Sequence, residues 1–428
     1  MNGEILEPAS LAEIQLPEAL LGRRHEGVVF SGRGPLWLYG HLVHLAHAFA
    51  WVGIYDPRLS GAVVVMRHTP SAPPLGQVIP CEPYDGVTPE TTPAAGPRST
   101  ATPQLRWRPP QVQGNLELHT LELSNRGEEF APSCLAELIW PRPLPRVGEG
   151  CAVYVLSGQL PQWLSARLLL ALADETTEAL ALYQPAQAAA VVVRPDSRGQ
   201  LKPGTTIPDQ PRQRPAPVLA LVGDPNSGKS VLSWKLYRQW HRDDVQVYRL
   251  DCDAHAPTAP WGMDSATGAE LRKRYKDQRG PWRPEDVVNL VAAVENLRRS
   301  SLDLVLLDMP GGIHPKHPDD GPAVRIPDDR QALFKLADGF VILWKNEAAL
   351  EGWRTALAQL GLQDRILAEV IPCQDESQPE RIPRGLYRPD AADGWCIHQL
   401  DRQTTWVMIP GVSALAATLR AQLVPPTA

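Results

Sequence analysis

The residues best suited to chemistry in this 428-residue sequence are concentrated in one stretch near the N-terminus. His41, His44 and His47 step by three along a predicted helix, 36–50. Because three residues turn a helix by about 300°, the three imidazoles would share one side of it. Asp56 closes the next predicted strand, where its carboxylate could orient a His or bind a metal. For any single His, a hydrogen-bonded or solvated imidazole without a function is the alternative.

A Gly-rich turn that carries a positive charge precedes that helix. Arg33 stands between Gly32 and Gly34, directly after a predicted strand that ends at Ser31. A guanidinium in such a turn suits a phosphate, because its donors match the phosphate oxygens. A second guanidinium, Arg58, lies just beyond the end of the following strand. The stretch therefore predicts a site for a small anionic ligand.

An internal repeat separates the residues needed for folding from those with a function. The segment FSGRGPLWL, 30–38, matches LSGQLPQWL, 156–164, and YDPR, 55–58, matches YQPA, 183–186. Apolar and turn positions recur, so we expect them to be scaffold. We predict a tandem duplication in which the first copy is functional and the second is a structural partner. The polar residues Arg33, His44, Asp56 and Arg58 are replaced by Gln159, Leu170, Gln184 and Ala186, and His47 has no His counterpart.

A second motif predicts a nucleotide-binding loop. Residues 223–230 fit G-x-x-x-x-G-K-S/T between an apolar strand and a helix-compatible segment. Backbone N–H groups of such a loop bind phosphates, Lys229 reaches the β- and γ-phosphates, and Ser230 binds magnesium. Asp308, at the end of the strand LVLLD, is the best Walker B carboxylate. The predicted nucleotide-binding residues are Gly223, Asp224, Pro225, Asn226, Ser227, Gly228, Lys229 and Ser230.

Two further carboxylates end the strand that follows this loop. In small P-loop kinases an Asp at the position of Asp251 or Asp253 can accept the proton of a substrate hydroxyl. A strand-end Asp that caps a turn is an equally good interpretation. Both interpretations stay open for this pair.

The spacing of apolar stretches predicts an α/β chain. We expect tandem small α/β modules, 1–83 and 105–208, the second opening with an extra strand candidate, Asn115–Leu123. A P-loop NTPase domain with a mainly parallel sheet would follow at 218–428, its sixth and last strand being WVMIP, 406–410. Linkers rich in Pro are predicted at 84–104 and 209–217.

The composition excludes several classes of function. A net charge of −6 does not favour a long polyanion such as duplex nucleic acid. The six Cys are scattered without a CxxC pair, which argues against zinc and suits a reducing cytosol. No apolar run reaches the roughly 18 residues of a membrane span, and the N-terminus does not resemble a signal peptide. We therefore expect a cytoplasmic protein that does not bind membranes.

The stretches GVVFSGRGPLWLY, His44-Leu-Ala-His47 and YDPRLSGAVVV resemble the CRISPR-associated ring nucleases called Csx-three (Crn-three). The resemblance covers about 11–80 strongly and 115–208 weakly, and fusion of such a module to a P-loop domain labelled AAA resembles known members. It implies cleavage of cyclic tetra-adenylate, the second messenger of type III CRISPR defence, with manganese and in a homo-oligomer. The family's functional His and Asp match His47 and Asp56, and Arg33, His44 and Arg58 match its other polar positions. We predict His47 and Asp56 as catalytic residues, Asp56 also as a candidate manganese ligand, and Ser31, Gly32, Arg33, His44 and Arg58 as ligand-binding residues.

Our hypothesis is that Arg33 and Arg58 hold the phosphodiester, His47 acts as general acid and base, and Asp56 orients that His or binds manganese. One alternative is a sensor that binds the ring without cleaving it and regulates the P-loop domain. Another is a P-loop kinase that uses Asp251 or Asp253. Magnesium with ATP is expected at Ser230 and Asp308 in each case.

Overall fold

The computed structural model divides the chain into two compact units. The first unit comprises 1–184 and 188–209, and the second comprises 185–187 and 210–428. Most of the predicted linker 84–104 lies outside the described residues. The described residues are 6–32, 34–56, 59, 61–81, 103–124, 130–145, 150–158, 160–210, 214–253, 282–312, 324–373, 393–398, 400 and 409–423.

The first copy is a βαβ unit extended by two antiparallel strands. Its elements are a 3₁₀ helix (Pro8–Glu13), α1 (Glu18–Leu21), β1 (Gly27–Phe30), α2 (Leu36–Leu45), β2 (Trp51–Asp56), β3 (Gly61–Arg67) and β4 (Val78–Pro80). The sheet order is β1-β2-β3-β4, and β1 is parallel to β2. β3 is antiparallel to both of its neighbours. Near-continuous burial of β2 and β3 agrees with their unbroken apolar sequences.

The helix of the first copy is shorter than its sequence predicts. It ends at Leu45 instead of residue 50, so His47 lies in the turn that follows and not on the helix. The reason is that the chain must turn back to enter β2. The N–H of Ala50 already donates to the carbonyls of Arg24, at 2.8 Å, and Glu26, at 3.1 Å, ahead of β1.

The second copy repeats the 3₁₀ helix, the four strands and the long helix of the first copy in the same order, without a described counterpart of α1, and adds strands in front. They are β5 (Gln104–Trp107), β6 (Gln111–Gln113), β7 (Leu116–Ser124), a 3₁₀ helix (Pro132–Ala136), β8 (Cys151–Ser157), α3 (Gln162–Glu175), β9 (Ala179–Gln184), a 3₁₀ helix (Pro185–Gln187), β10 (Ala189–Arg194) and β11 (Thr206–Pro208). The sheet order is β11-β10-β9-β8-β7-β5, with β6 paired to β7. The extra strand candidate of the sequence is β7, which is parallel to β8. The predicted tandem α/β modules are thereby confirmed.

The two copies share one core, in which both helices lie between the two sheets. Helix α2 packs against β10 and β9 of the second copy, and α3 packs against β3 and β2 of the first. One apolar cluster joins residues of both copies, including Trp37, Ile54, Val65, Trp163 and Val193. Neither sheet could bury its inner face alone, so the pair folds as one unit.

Gly40 is the point of closest approach between α2 and the second copy. A Cβ at this position would lie 2.6 Å from Leu169 Cδ1 and 3.0 Å from Leu182 Cδ1. We expect Gly40→Leu to lower the free energy of unfolding by about 1–3 kcal/mol through overpacking, measured by urea denaturation. Gly22→Leu is the control, because no heavy atom lies within 4 Å of a Cβ there. Equal stability of the two variants would contradict the packing described here.

The second unit contains a parallel sheet. Its elements are β12 (Val218–Gly223), α4 (Lys229–Arg242), β13 (Val247–Asp251), α5 (Pro284–Arg299), β14 (Leu304–Asp308), α6 (Gln331–Lys335), β15 (Gly339–Leu343), α7 (Glu347–Gln359), β16 (Ile366–Cys373), β17 (Asp393–His398) and α8 (Pro410–Leu423). The order is β13-β14-β12-β15-β16-β17, with every described pair parallel. Apolar clusters lie on both faces of the sheet. The predicted parallel α/β fold is confirmed.

Among the described residues the sheet ends with β17, DGWCIH, which was not predicted as a strand. The predicted strand 406–410 falls mostly on residues that the structure does not describe, and its last residue begins α8. Residues 401–408 lie outside the described part of the chain. Within the described ranges, no helix combines the length and the apolar composition that a membrane crossing requires.

Candidate functional site

The predicted ligand-binding turn and Asp56 lie at the same edge of the first sheet. Because β1 and β2 are parallel, their carboxyl ends meet there, which places Ser31 and Gly32 beside Asp56. The Tyr39 hydroxyl donates to the carbonyl of Gly32 at 2.6 Å, and Gly32 has a φ of 132°, which favours glycine. The other two predicted members of this edge, Arg33 and Arg58, lie outside the described residues.

Asp56 itself is buried, with 5% of its surface exposed. Its Oδ2 accepts a hydrogen bond of 3.0 Å from the indole Nε1 of Trp163, a residue of the second copy. The amide of Gln162, also from the second copy, donates to the carbonyl of Gly34 at 3.1 Å. The amino-terminal turn of α3 therefore contacts both parts of the predicted site on the first copy.

Helices α2 and α3 both begin at this edge. Their N-cap residues are Pro35 and Pro161, neither of which caps the helix with its side chain. The first-turn N–H groups and the positive ends of the two helix dipoles therefore face the same edge as Ser31 and Asp56. Such an arrangement favours an anionic ligand.

The two predicted site histidines lie at the opposite edge of the sheet. His47 precedes the first residue of β2, whereas Asp56 is its last residue. At about 3.3 Å per residue, the six-residue strand separates them by roughly 17 Å. Within one chain the structure does not bring His47 and Asp56 together, so Asp56 cannot orient that imidazole, contrary to our hypothesis from the sequence.

Backbone contacts hold the histidines in place. Nδ1 of His47 hydrogen-bonds to the carbonyl of His44 at 2.7 Å, and His68 Nε2 hydrogen-bonds to the carbonyl of His47. The rings of His44 and His47 are stacked with centroids 5.7 Å apart. His41 is buried, and its Nδ1 hydrogen-bonds to the carbonyl of Val193 in the second copy at 2.8 Å. The structure thus gives His41 a contact between the copies, while His47 stays exposed.

His44 lines a small pocket between the two copies, with Gly40, Leu169, Leu180 and Arg194. Burial lowers the pKa of His44 to about 4, and the charge of Arg194 and the neighbouring His47 and His41 act in the same direction. Arg194 is fixed there because it donates to the carbonyls of residues 173, 176 and 178 at the end of α3. His44 is therefore neutral at pH 7.

This depressed pKa predicts a pH-dependent stability. The unfolded chain, in which a His titrates near pH 6.5, binds more protons than the folded chain between about pH 4 and 6.5. Stability should therefore fall as the pH decreases through that window. His44→Leu, which introduces the residue found at the equivalent position 170, should flatten the dependence. Chemical denaturation at pH 7.0 and 5.0 measures it, and an unchanged slope in the variant would contradict the assignment.

The described residues of the first unit do not form a manganese site by themselves. No described group of three or more His, Cys, Asp or Glu side chains could hold a metal ion. Asp56, the predicted ligand, receives the indole N–H on Oδ2 and lies far from His47. One chain therefore does not supply the mixed carboxylate and imidazole ligands that the resemblance implies.

The predicted phosphate-binding loop lies between β12 and α4. Gly228 and Asn226 have positive φ values of 92° and 60°, which direct backbone N–H groups toward the loop interior. Lys229 Nζ donates to the carbonyls of Gly223, at 2.7 Å, and Asp224, at 2.8 Å. Burial lowers the pKa of the Lys229 ammonium, while the carboxylate of Asp308 opposes that shift.

Asp308 fits the expected magnesium site. It is buried at the end of β14 and lies in register with Asp251 on β13. Arg249 Nη2 donates to Asp308 Oδ2 at 2.6 Å, and the Ser233 hydroxyl donates to the same oxygen at 3.2 Å. No described residue hydrogen-bonds to Oδ1. One carboxylate and the Ser230 hydroxyl are the few protein ligands that magnesium needs when phosphates complete its shell.

Arg249 was not predicted from the sequence, because its bond to Asp308 joins two different strands. Asp251, the predicted kinase-type base, accepts the N–H of Asp253 on Oδ1 at 3.0 Å. Its Oδ2 lies 3.8 Å from Arg249 Nη2. The N–H bond is the geometry of the turn-capping alternative, and catalysis by Asp251 or Asp253 stays a prediction.

Comparisons with solved structures cover about half of the chain. The chain is similar to the septum site-determining protein MinD of Pyrococcus horikoshii OT3, complexed with Mg-ADP, at 17% identity, covering 49% of this chain and 96% of MinD with a TM-score of 0.31. Similarity to the cell division protein FtsY of Thermotoga maritima covers 49% of this chain and 60% of FtsY at 12% identity, with a TM-score of 0.23. The P-loop assignment depends on the loop and strand order described above.

Sequence comparisons concern the first unit. An uncharacterized protein of Aquifex aeolicus (strain VF5) is 45% identical over 78 residues, which are 18% of this chain and 69% of that protein. The sequence model of the CRISPR-associated protein family Cas_csx3 matches twice, at residues 2–80 and 124–208. The two matches coincide with the two copies that share the α2–α3 core. The chain therefore belongs to the Cas_csx3 family of CRISPR-associated proteins, with its family module duplicated and a P-loop domain attached.

Proposed function

We propose that the first unit binds and cleaves cyclic tetra-adenylate and that the attached P-loop domain binds ATP with magnesium. The observation that carries the proposal is the edge where the amino-terminal ends of α2 and α3 meet Asp56 and the Gly-rich turn. A ring of phosphodiesters fits an edge that offers the first-turn N–H groups and the positive dipole ends of two helices. Arg33 and Arg58 are predicted to add charge-assisted bonds to the phosphates.

Cleavage also requires proton transfer, and among the described residues this edge of a single chain offers no imidazole for it. The 2′-hydroxyl next to the scissile phosphodiester, or a water, attacks phosphorus while the bond to the 5′-oxygen breaks. His47 is predicted to take the proton from the nucleophile or to give one to the leaving oxygen. Because His47 lies at the other end of β2, we infer that it comes from a second copy of the chain, whose opposite edge faces the ring. Manganese, when bound at Asp56, would supply charge stabilisation to the phosphate.

The proposal is tested by incubating the purified full-length protein with cyclic tetra-adenylate and manganese and separating the products by chromatography. We expect the ring to be converted to linear adenylates. The same incubation with linear tetra-adenylate as the substrate shows whether the ring is preferred. An intact ring after prolonged incubation at high protein concentration would overturn the nuclease assignment.

The separation of His47 and Asp56 also favours a second function, that of a sensor. A chain that meets no second copy could bind the ring at the Asp56 edge without cleaving it. Ring binding would then regulate the P-loop domain. Measuring ATP turnover with and without cyclic tetra-adenylate distinguishes the two, since stimulation without ring cleavage supports the sensor.

A further inference from the structure

Helix α3 lies between the two sheets of the first unit. It belongs to the second copy by sequence and contacts β8 and β9 of that copy, yet it also packs on β2 and β3 of the first. The start of α3 therefore lies at the carboxyl end of β2, where Asp56 stands. In a symmetric pair, each copy would contribute the same helix residues to the other copy's site.

The pair is not symmetric at this point. Trp163 and Trp37 occupy equivalent positions, and each indole is 1% exposed. Trp163 donates its N–H to Asp56. The residue equivalent to Asp56 is Gln184, whose side-chain Nε2 is buried and has no hydrogen-bond partner among the described residues. Only the first copy therefore has a carboxylate that accepts an indole N–H.

The residue before each Trp is also polar in one copy and apolar in the other. Gln162 stands where the first copy has Leu36. Its amide donates to the carbonyl of Gly34, in the turn that carries the predicted ligand-binding residues. Leu36 has no polar group with which to make the reciprocal bond to the second copy. Both side chains that the second copy directs at the Asp56 edge are therefore hydrogen-bonded, and one of them has no polar equivalent.

We propose that Trp163 and Gln162 are positioning residues for the reaction of the first copy. Trp163 fixes the carboxylate of Asp56 in one rotamer, and Gln162 fixes the Gly-rich turn relative to it. The second copy, which has lost the predicted catalytic residues, supplies the support that orients those of the first. This inference depends on the proposed cleavage of cyclic tetra-adenylate.

The experiment compares Trp163→Phe with Trp37→Phe in the full-length protein. Both changes remove one indole N–H from an equally buried position, so they share the loss of packing. We expect Trp163→Phe to lower kcat for ring cleavage by about 10- to 100-fold with KM changed less than about twofold, as for other groups that orient a reacting side chain. Trp37→Phe should stay within about twofold of the unchanged protein in both constants.

A double variant separates positioning from a general structural effect. If Trp163 acts through Asp56, adding Trp163→Phe to Asp56→Asn should reduce the remaining rate no further. Gln162→Leu, which introduces the residue of the first copy, should lower kcat in the same manner as Trp163→Phe but less.

Each outcome has a distinct meaning. Equal losses in Trp163→Phe and Trp37→Phe, or full kcat in Trp163→Phe, would overturn the positioning role while the nuclease assignment stands. Additive losses in the double variant would overturn the action through Asp56. An unchanged protein that does not cleave the ring would overturn the proposed function and this inference with it.

Discussion

His47→Ala and Asp56→Asn should each lower ring cleavage by about 10²- to 10⁴-fold, the usual contribution of a proton-transfer group. Mixing the two inactive variants should restore cleavage. The reason is geometric, since the two residues lie at opposite ends of β2 and a site needs His47 from one chain and Asp56 from another. In an equimolar mixture, about a quarter of randomly formed contacts would join an intact His47 to an intact Asp56. Product formation before and after mixing measures the effect.

The control for mixing is a protein that carries both changes in the same chain. Adding the double variant to either single variant should restore no cleavage, because one of the two required side chains is then missing from every contact. If mixed single variants stay inactive although each still binds the ring, the shared site is ruled out. If either single variant keeps full activity, the assignment of that residue is ruled out.

Lys229→Ala should reduce ATP turnover by about 100-fold or more and weaken ATP binding, while ring cleavage stays unchanged. Nζ of Lys229 is held by the carbonyls of Gly223 and Asp224, inside the loop where phosphates would bind. Removing it takes away the charge that would meet the β- and γ-phosphates. Phosphate release and equilibrium binding of ATP measure the two effects.

Lys345→Ala provides the matched control, since that Lys is exposed outside the loop. We expect it to bind and turn over ATP as the unchanged protein does. ATP binding that survives Lys229→Ala at full strength would contradict the assignment of this loop. Loss of ring cleavage in the same variant would instead show that the two units depend on each other.

The parts of the fold that the sequence predicts are those with a local signal. Some segments can be recognised from their own residues alone, namely the unbroken apolar runs of β2, β3 and β12 and the Gly-rich loop before Lys229. β17 was missed because DGWCIH is neither alternating nor continuously apolar. β5 was missed for a different reason, since QLRW alternates over four residues only, which is too short to separate from the linker predicted there.

The residues of the candidate site could be predicted from the sequence, but their positions relative to one another could not. The internal repeat singled out His47 and Asp56 by their loss in the second copy, but our hypothesis joined them although the predicted strand lies between them. The bond between Trp163 and Asp56 joins residues 107 positions apart in the chain. Both copies contain the Trp, so the comparison that identified the polar residues treated it as scaffold. Trp163 has a polar partner because α3 packs against the sheet of the first copy, which ends at Asp56.

Joining two family modules in one chain also changes how the protein responds to dilution. A pair of separate modules dissociates as its concentration falls, whereas the shared core of α2 and α3 is held by the chain itself. If a complete site needs two chains, its formation at low concentration follows the second power of the chain concentration. Four separate modules would need the fourth power. Covalent duplication would therefore keep second-messenger removal responsive when few copies of the protein are present.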